Sequence, residues 1–160
     1  MKLRILSTLL FAAVVIAITS GCAGLPTPEV MKAETANFVL PKLPEPNKAI
    51  VYVFRPSSLG ALIRYNVFVD NQEANSEMGF TRGNQYIHFN IAPGQSKILS
   101  KAENWAELEV NAKPGDIIFI RQEVSMGLIM ARNTIVESPD YEGKYQIKSL
   151  SIGTMIKQDK

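Results

Sequence analysis

Turn signals recur through residues 48–138 at short, near-regular intervals, and that spacing leaves room for little except short strands. Asp70-Asn71, Ala92-Pro93-Gly94 and Lys113-Pro114-Gly115-Asp116 each interrupt an apolar or alternating run. Asp and Asn tolerate left-handed backbone, and a Pro-Gly pair joins a fixed φ to a free one. Ala49–Phe54 is apolar throughout, as in a strand covered on both faces, and Arg55-Pro56-Ser57-Ser58 ends it. Tyr65, Val67 and Val69 alternate with Asn66, Phe68 and Asp70. Ile87, Phe89 and Ile91 alternate with Tyr86, His88 and Asn90, which predicts one buried and one wet face. Lys97–Lys101 is a weaker strand. Ala106, Leu108 and Val110 face inward, with Glu107, Glu109 and Asn111 outward. Ile117–Ile120 has the texture of a central strand, and Asn133–Glu137 adds another. Seven to eight such strands predict a mainly β fold, an antiparallel β-sandwich.

A short C-terminal helix is expected to close the domain. Ser138 is placed to cap it, Pro139 suits its first position, and Asp140 and Glu142 suit its dipole. Gly143 costs such a helix about 1 kcal/mol relative to alanine. Tyr141, Tyr145, Ile147 and Leu150 define no single clean face, and Ile152–Lys160 has no readable pattern and is expected to fray. Upstream, residues 23–47 hold Pro26, Pro28, Pro41, Pro44 and Pro46 and read as a tether. At roughly 3 Å per residue, such a segment holds a domain several tens of Å from its attachment point. Its one apolar cluster, Phe38-Val39-Leu40, either belongs to the tether or docks as an edge strand.

The N-terminus has the three-part build of an export signal. Lys2 and Arg4 precede an apolar stretch, Ile5–Ile18, and Thr19-Ser20-Gly21-Cys22 follows. The stretch is shorter than the roughly 20 residues a spanning helix needs. This arrangement resembles a bacterial lipoprotein signal peptide, although such signals usually carry Leu where Thr19 stands. The resemblance implies cleavage before Cys22 and acylation of its sulfur, with the protein held at the membrane through lipid. Ala23 after the cysteine implies onward sorting to an outer membrane, facing the periplasm. Secretory cleavage that leaves Cys22 free, or an uncleaved N-terminal helix, are the alternatives. The segments are then a leader at 1–21, the lipidated cysteine and tether at 22–47, the sandwich at 48–150 and a tail at 151–160.

Charge and inventory narrow the function classes. The 17 Lys and Arg against 15 Asp and Glu suggest a basic protein, but loss of Lys2 and Arg4 with the leader leaves 15 of each. No basic stripe is left for nucleic acid or anionic lipid. Cys22 and His88 are the single cysteine and single histidine. That excludes a thiolate metal site and a histidine-rich one, and no cofactor is implied. A serine–histidine site has to be built around His88, and no nucleophile-elbow pattern accompanies it. The plainer expectation is a solvated or cross-strand-paired histidine.

Three segments are candidates for binding. Arg55, Ser57, Ser58 and Arg64 flank a loop at one end of the sandwich, where an arginine can grip a carboxylate or phosphate. Alternatively, Arg55 pairs with a local acid and the serines cap a turn. Met126–Ala131 is apolar apart from Gly127, and is either core or an exposed patch for a partner. Tyr86, His88 and Asn90, with Trp105, are candidates for an aromatic platform for sugar.

Several of these pieces occur together in one family. Ala49–Phe54 with Arg55-Pro56-Ser57-Ser58, Tyr65–Asp70, Ile91-Ala92-Pro93-Gly94, Lys113–Asp116, Ser125-Met126-Gly127-Leu128 and Glu142-Gly143 together resemble the bacterial family labelled domain of unknown function 2846. The resemblance spans about residues 48–150, and Asn71 departs from the glycine common there. It implies a sandwich, often on a lipoprotein, and no reaction. The expected function is therefore a membrane-anchored, non-catalytic binding or structural module of the bacterial envelope, with an envelope protein or cell-wall component as partner. The alternatives are an envelope hydrolase around His88, or an accessory subunit of a surface or secretion assembly.

Overall fold

The computed structural model describes residues 24–126 and 131–159. The strands are β1 (Ala49–Arg55), β2 (Tyr65–Val69), β3 (Glu77–Thr81), β4 (Gln85–Ile91), β5 (Gly94–Lys101), β6 (Trp105–Ala112), β7 (Ile117–Met126), β8 (Ala131–Ser138), β9 (Ser151–Ile152) and β10 (Thr154–Met155). Two helices, α1 (Pro28–Thr35) and α2 (Asp140–Ile147), accompany them. The first sheet has the order β8-β7-β1-β4-β9 and the second β10-β3-β2-β5-β6. The fold is a mainly β two-sheet sandwich with a short C-terminal helix. Eight of its strands have five or more residues, and β9 and β10 have two each. The ladder is not wholly antiparallel, because β1 pairs with β7, and β4 with β9, in parallel.

The turns behave as their sequences require. Asp70 takes a left-handed φ of 69°, and its carboxylate accepts the Lys97 N–H at 3.2 Å. Gly115 sits at φ 86°, while the Asp116 carboxylate accepts the Lys113 N–H. On β6, Ala106, Leu108 and Val110 point into the core and Glu107 and Glu109 are exposed, as alternation predicts.

The first sheet has two cores. One lies between the sheets and takes Ala49, Val51 and Val53 of β1, Ile87, Phe89 and Ile91 of β4, and Val67, Val69, Ile98 and Ile120. The other lies on the outer face of this sheet and joins Ile50, Tyr52, Phe54, Tyr86 and Phe119 to Leu40 and Ile147. Burial of each large apolar side chain contributes about 1.5–3 kcal/mol, so both faces of β1 stabilise the fold. The wet face expected for β4 is thus a second interior, with His88 7% and Asn90 1% exposed.

What covers that face is the segment expected to be a tether, and this corrects the expectation for residues 28–47. Pro28 is the first residue of α1 and Glu29 follows in its first turn, where a missing N–H costs nothing and an anion is favoured. Lys32 lies over the Tyr141 ring at 5.3 Å, so α1 meets α2. Leu40 then enters the outer core as irregular chain, not as an edge strand. Tyr52 fixes the segment from beneath: its hydroxyl donates to the Lys42 carbonyl at 2.6 Å and accepts the Lys42 N–H at 2.9 Å. Asn90 Oδ1 accepts the Glu45 N–H at 3.2 Å.

Three C-terminal expectations are also revised. Ser138 ends β8, Pro139 occupies the cap position without a side-chain bond, and Asp140 is the first helical residue. Gly143 is there for contact: a Cβ on it would sit 2.2 Å from the Phe119 ring. Residues 151–159 do not fray. They add β9 to β4 and β10 to β3, and Asp159 bridges to Asn90.

Candidate functional site

The registers place one set of loops together. Arg55 lies opposite Gln85, Tyr65 opposite Thr81, Asn66 opposite Lys101, and Lys101 opposite Trp105. The β1–β2 loop (residues 56–64) and the β3–β4 loop (residues 82–84) therefore share one end of the sandwich. The described chain enters at the same end, because Gly24, Leu25 and Pro26 line an open cleft of about 530 Å³ with Pro56, Ser57, Arg121, Tyr145 and Gln146.

Arg55 organises this end from inside. It is fully buried, on the inter-sheet face of β1. Its Nη1 donates to the Ile63 carbonyl at 2.8 Å, and its Nη2 donates to the carbonyls of Leu59 and Gly60 at 2.6 and 2.9 Å. The guanidinium carbon stacks 3.9 Å from the centroid of Tyr65, and the Tyr65 hydroxyl donates to the Arg132 carbonyl. Burial pulls the Arg55 pKa below the usual arginine range, while Tyr65 opposes that shift. The side chain thus holds the loop by three backbone carbonyls. The groups it holds are backbone carbonyls and not the local acid that was the alternative expectation.

The other proposed surface residues diverge. Ser57 Oγ accepts the Leu59 N–H at 3.1 Å, which is the turn-capping role. Ser58 is exposed. Arg64 is exposed and stacks on Phe80 at 4.9 Å, with Arg82 on the same ring at 5.1 Å. Beneath the loop, Thr81 donates to Gln122, and Gln122 Nε2 donates to Ser100 Oγ at 2.8 Å. This polar link ties the two sheets together, and all three residues are buried.

His88 belongs elsewhere. It lies opposite Tyr52 on the outer face of the first sheet, with ring centroids 5.3 Å apart, and 6.4 Å from Tyr86. Burial, helped by the Lys42 ammonium, holds its pKa below the ordinary imidazole value. Burial also pushes the Tyr52 phenol up to about 12, so the phenol remains a donor. Ser57 follows Tyr52 by five residues, which is roughly 16 Å along a strand. Of the two plain expectations, solvated or cross-strand-paired, His88 meets the second: it is covered and lies against Tyr52 on the neighbouring strand. The sugar platform does not assemble either: Trp105 lies on the second sheet against Phe68 at 5.2 Å and Lys101 at 4.7 Å.

The sequence did not single out Arg121, Tyr145 and Gln146, which line the entry cleft. Arg121 bonds Glu142 on α2 and Glu123 at 2.6 Å on its own strand. Burial disfavours the Arg121 charge, but the two carboxylates outweigh it and raise the pKa. An arginine ending the apolar run Ile117–Ile120 was the available signal. A second cleft, of about 620 Å³ at the opposite end, is lined by Asp116, Glu137 and Asp140 among others. Among the described residues no cluster of three His, Cys, Asp or Glu is placed to hold a metal ion. No described helix is long and apolar enough to cross a membrane. Gly127–Met130 of the Met126–Ala131 run, and Cys22, lie outside the described residues.

Residues 45–135 match the family described as protein of unknown function (DUF2846). The chain belongs to this family. The family match starts at the strap before β1 and ends within β8, so it contains Arg55 and its loop but not Glu142-Gly143. An uncharacterized protein of Haemophilus influenzae is 24% identical over 134 residues, which cover 83% of this chain and 76% of the relative.

Proposed function

We propose that this protein is a lipid-anchored envelope lipoprotein whose sandwich is a non-catalytic binding or structural module. The observation that carries this reading is the leader ending in Thr19-Ser20-Gly21-Cys22. The packing of residues 28–47 supports it in an altered form. Five residues lie between Cys22 and Pro28, so the first helical residue is within about 20 Å of the anchor. The domain is then held against the membrane and not at the end of a long tether. Its partner is an envelope protein or a cell-wall component, recognised at the loops.

The reading as a hydrolase built on His88 is weaker, because that imidazole is covered by the strap at Lys42 and lies far from Ser57 and Ser58. The deciding experiment is Cys22→Ser in the full chain, read by metabolic acyl labelling and membrane fractionation. We expect labelling to vanish and the protein to leave the membrane fraction. Retention at the membrane without label would replace the lipoprotein reading with an uncleaved helix.

A further inference from the structure

We infer that the β1–β2 loop is a membrane-docking element, which seats its leucines in the apolar surface of the bilayer that carries the anchor; this rests on the lipoprotein reading. Leu59 and Leu62 of this loop are 49% and 88% exposed, and Leu25, across the entry cleft from Pro56 and Ser57, is 53% exposed. The loop backbone that carries Leu59 and Leu62 is held in place. The buried Arg55 grips the carbonyls of Leu59, Gly60 and Ile63, and the Ile63 N–H donates to the Gly60 carbonyl. Gly60 takes the left-handed φ of 60° that turns the chain there. The Ala61 carbonyl accepts the Gly83 N–H, which ties the loop to its β3–β4 neighbour. A buried cation thus fixes the backbone of a loop whose leucines face outward. Outward leucines on a fixed backbone suit insertion into the apolar surface of a bilayer.

Position selects the bilayer over other occupants. Gly24 stands at the rim of this same end and follows Cys22 by two residues, so the acylated sulfur lies within about 10 Å of Gly24 whatever path the chain takes. The end that carries Leu25, Leu59 and Leu62 is thereby the end nearest the lipid. Arg64, Arg82, Lys101 and Arg132 border it, with Glu103 and Glu123 interspersed, and Glu123 is already paired to Arg121. Arginines beside exposed leucines match the boundary between phosphate headgroups and acyl chains, where cations meet phosphate as the apolar side chains enter.

The test uses the full, acylated protein reconstituted in vesicles of phosphatidylethanolamine and phosphatidylglycerol, with brominated acyl chains as quencher. Trp105 is first replaced by Phe, and Leu62→Trp then supplies the probe; Lys113→Trp, at the opposite end, is the control. We expect emission from position 62 to shift to the blue and to fall about twofold or more with brominated lipid, while position 113 stays unquenched. The Leu62→Trp signal should weaken when Arg64 and Arg82 are both changed to Glu. If position 62 remains as wet as position 113 while mass spectrometry shows acylated Cys22, the docking loop is overturned and the lipoprotein reading stands. If Cys22 carries no acyl group, the lipoprotein reading fails first. Leu59→Trp is the second probe, and water exposure there as well would close the question against the loop.

Discussion

The two sheets have equal strand numbers and unlike surroundings. Every residue of β1 in the first sheet is buried, and β4 is buried from Tyr86 to Ile91. In the second sheet, β6 alternates between core and solvent, and its outward Glu107 pairs with Lys97 at 3.4 Å in the open. The first sheet is the middle of three layers and the second is an outer layer. The difference teaches that polarity on a strand does not report exposure: Tyr52, His88 and Asn90 are polar and covered, because the chain before β1 returns over this face and bonds Tyr52 and Asn90 through its backbone at Lys42 and Glu45.

The comparison predicts graded losses. The largest is expected at the helix that roofs the first sheet. Gly143→Ala gains helix propensity but drives a methyl into the Phe119 ring, and a net loss of about 2 kcal/mol in chemical denaturation is expected. Unchanged stability would mean that α2 is not seated on β7. Next is the strap. Tyr52→Phe removes both bonds to Lys42, with about 1–2 kcal/mol lost and faster amide exchange at Lys42 and Glu45 than at β6. Equal exchange in variant and parent would show that the strap is held by Leu40 alone. The smallest effect belongs to the second sheet. Glu107→Ala breaks an exposed pair and should shift the unfolding free energy by about 0.5 kcal/mol or less. A larger loss there would mean that the outer face of this sheet is also covered.

The same contrast explains what the sequence made legible. Where one face meets water, as on β6, alternation gave the orientation of each residue. The solid apolar runs Ala49–Phe54 and Ile117–Ile120 correctly marked strands buried on both sides. The Tyr86-His88-Asn90 row misled because local pattern carries no sign of a remote segment that satisfies polar groups. The prolines at 26–46 misled in a related way. Pro28 restricts φ to a value that an extended chain and the first turn of a helix share, and packing against α2 decides between them. The carbonyl clamp of Arg55 was not legible, since its charge and its Pro-Ser-Ser context read alike for an anion grip and a backbone clamp. The short strands β9 and β10 were invisible because two-residue pairings have no period to detect.

Those two small strands have a wider consequence. β9 and β10 lie at the same side of their respective sheets and are joined through Gly153, so the chain itself stitches one seam of the sandwich. The opposite seam is held by Asn104 and Asn133, where Asn104 Nδ2 donates to the Asn133 carbonyl at 2.8 Å and Asn133 N–H donates to Asn104 Oδ1 at 2.9 Å. The two flanks thus differ: β9 and β10 close one, while on the other β8 and β6 are eight-residue strands that end their sheets and meet through this asparagine pair. A foreign strand adds to unpaired ladder groups at a sheet edge, and the flank stitched by β9 and β10 offers few of them.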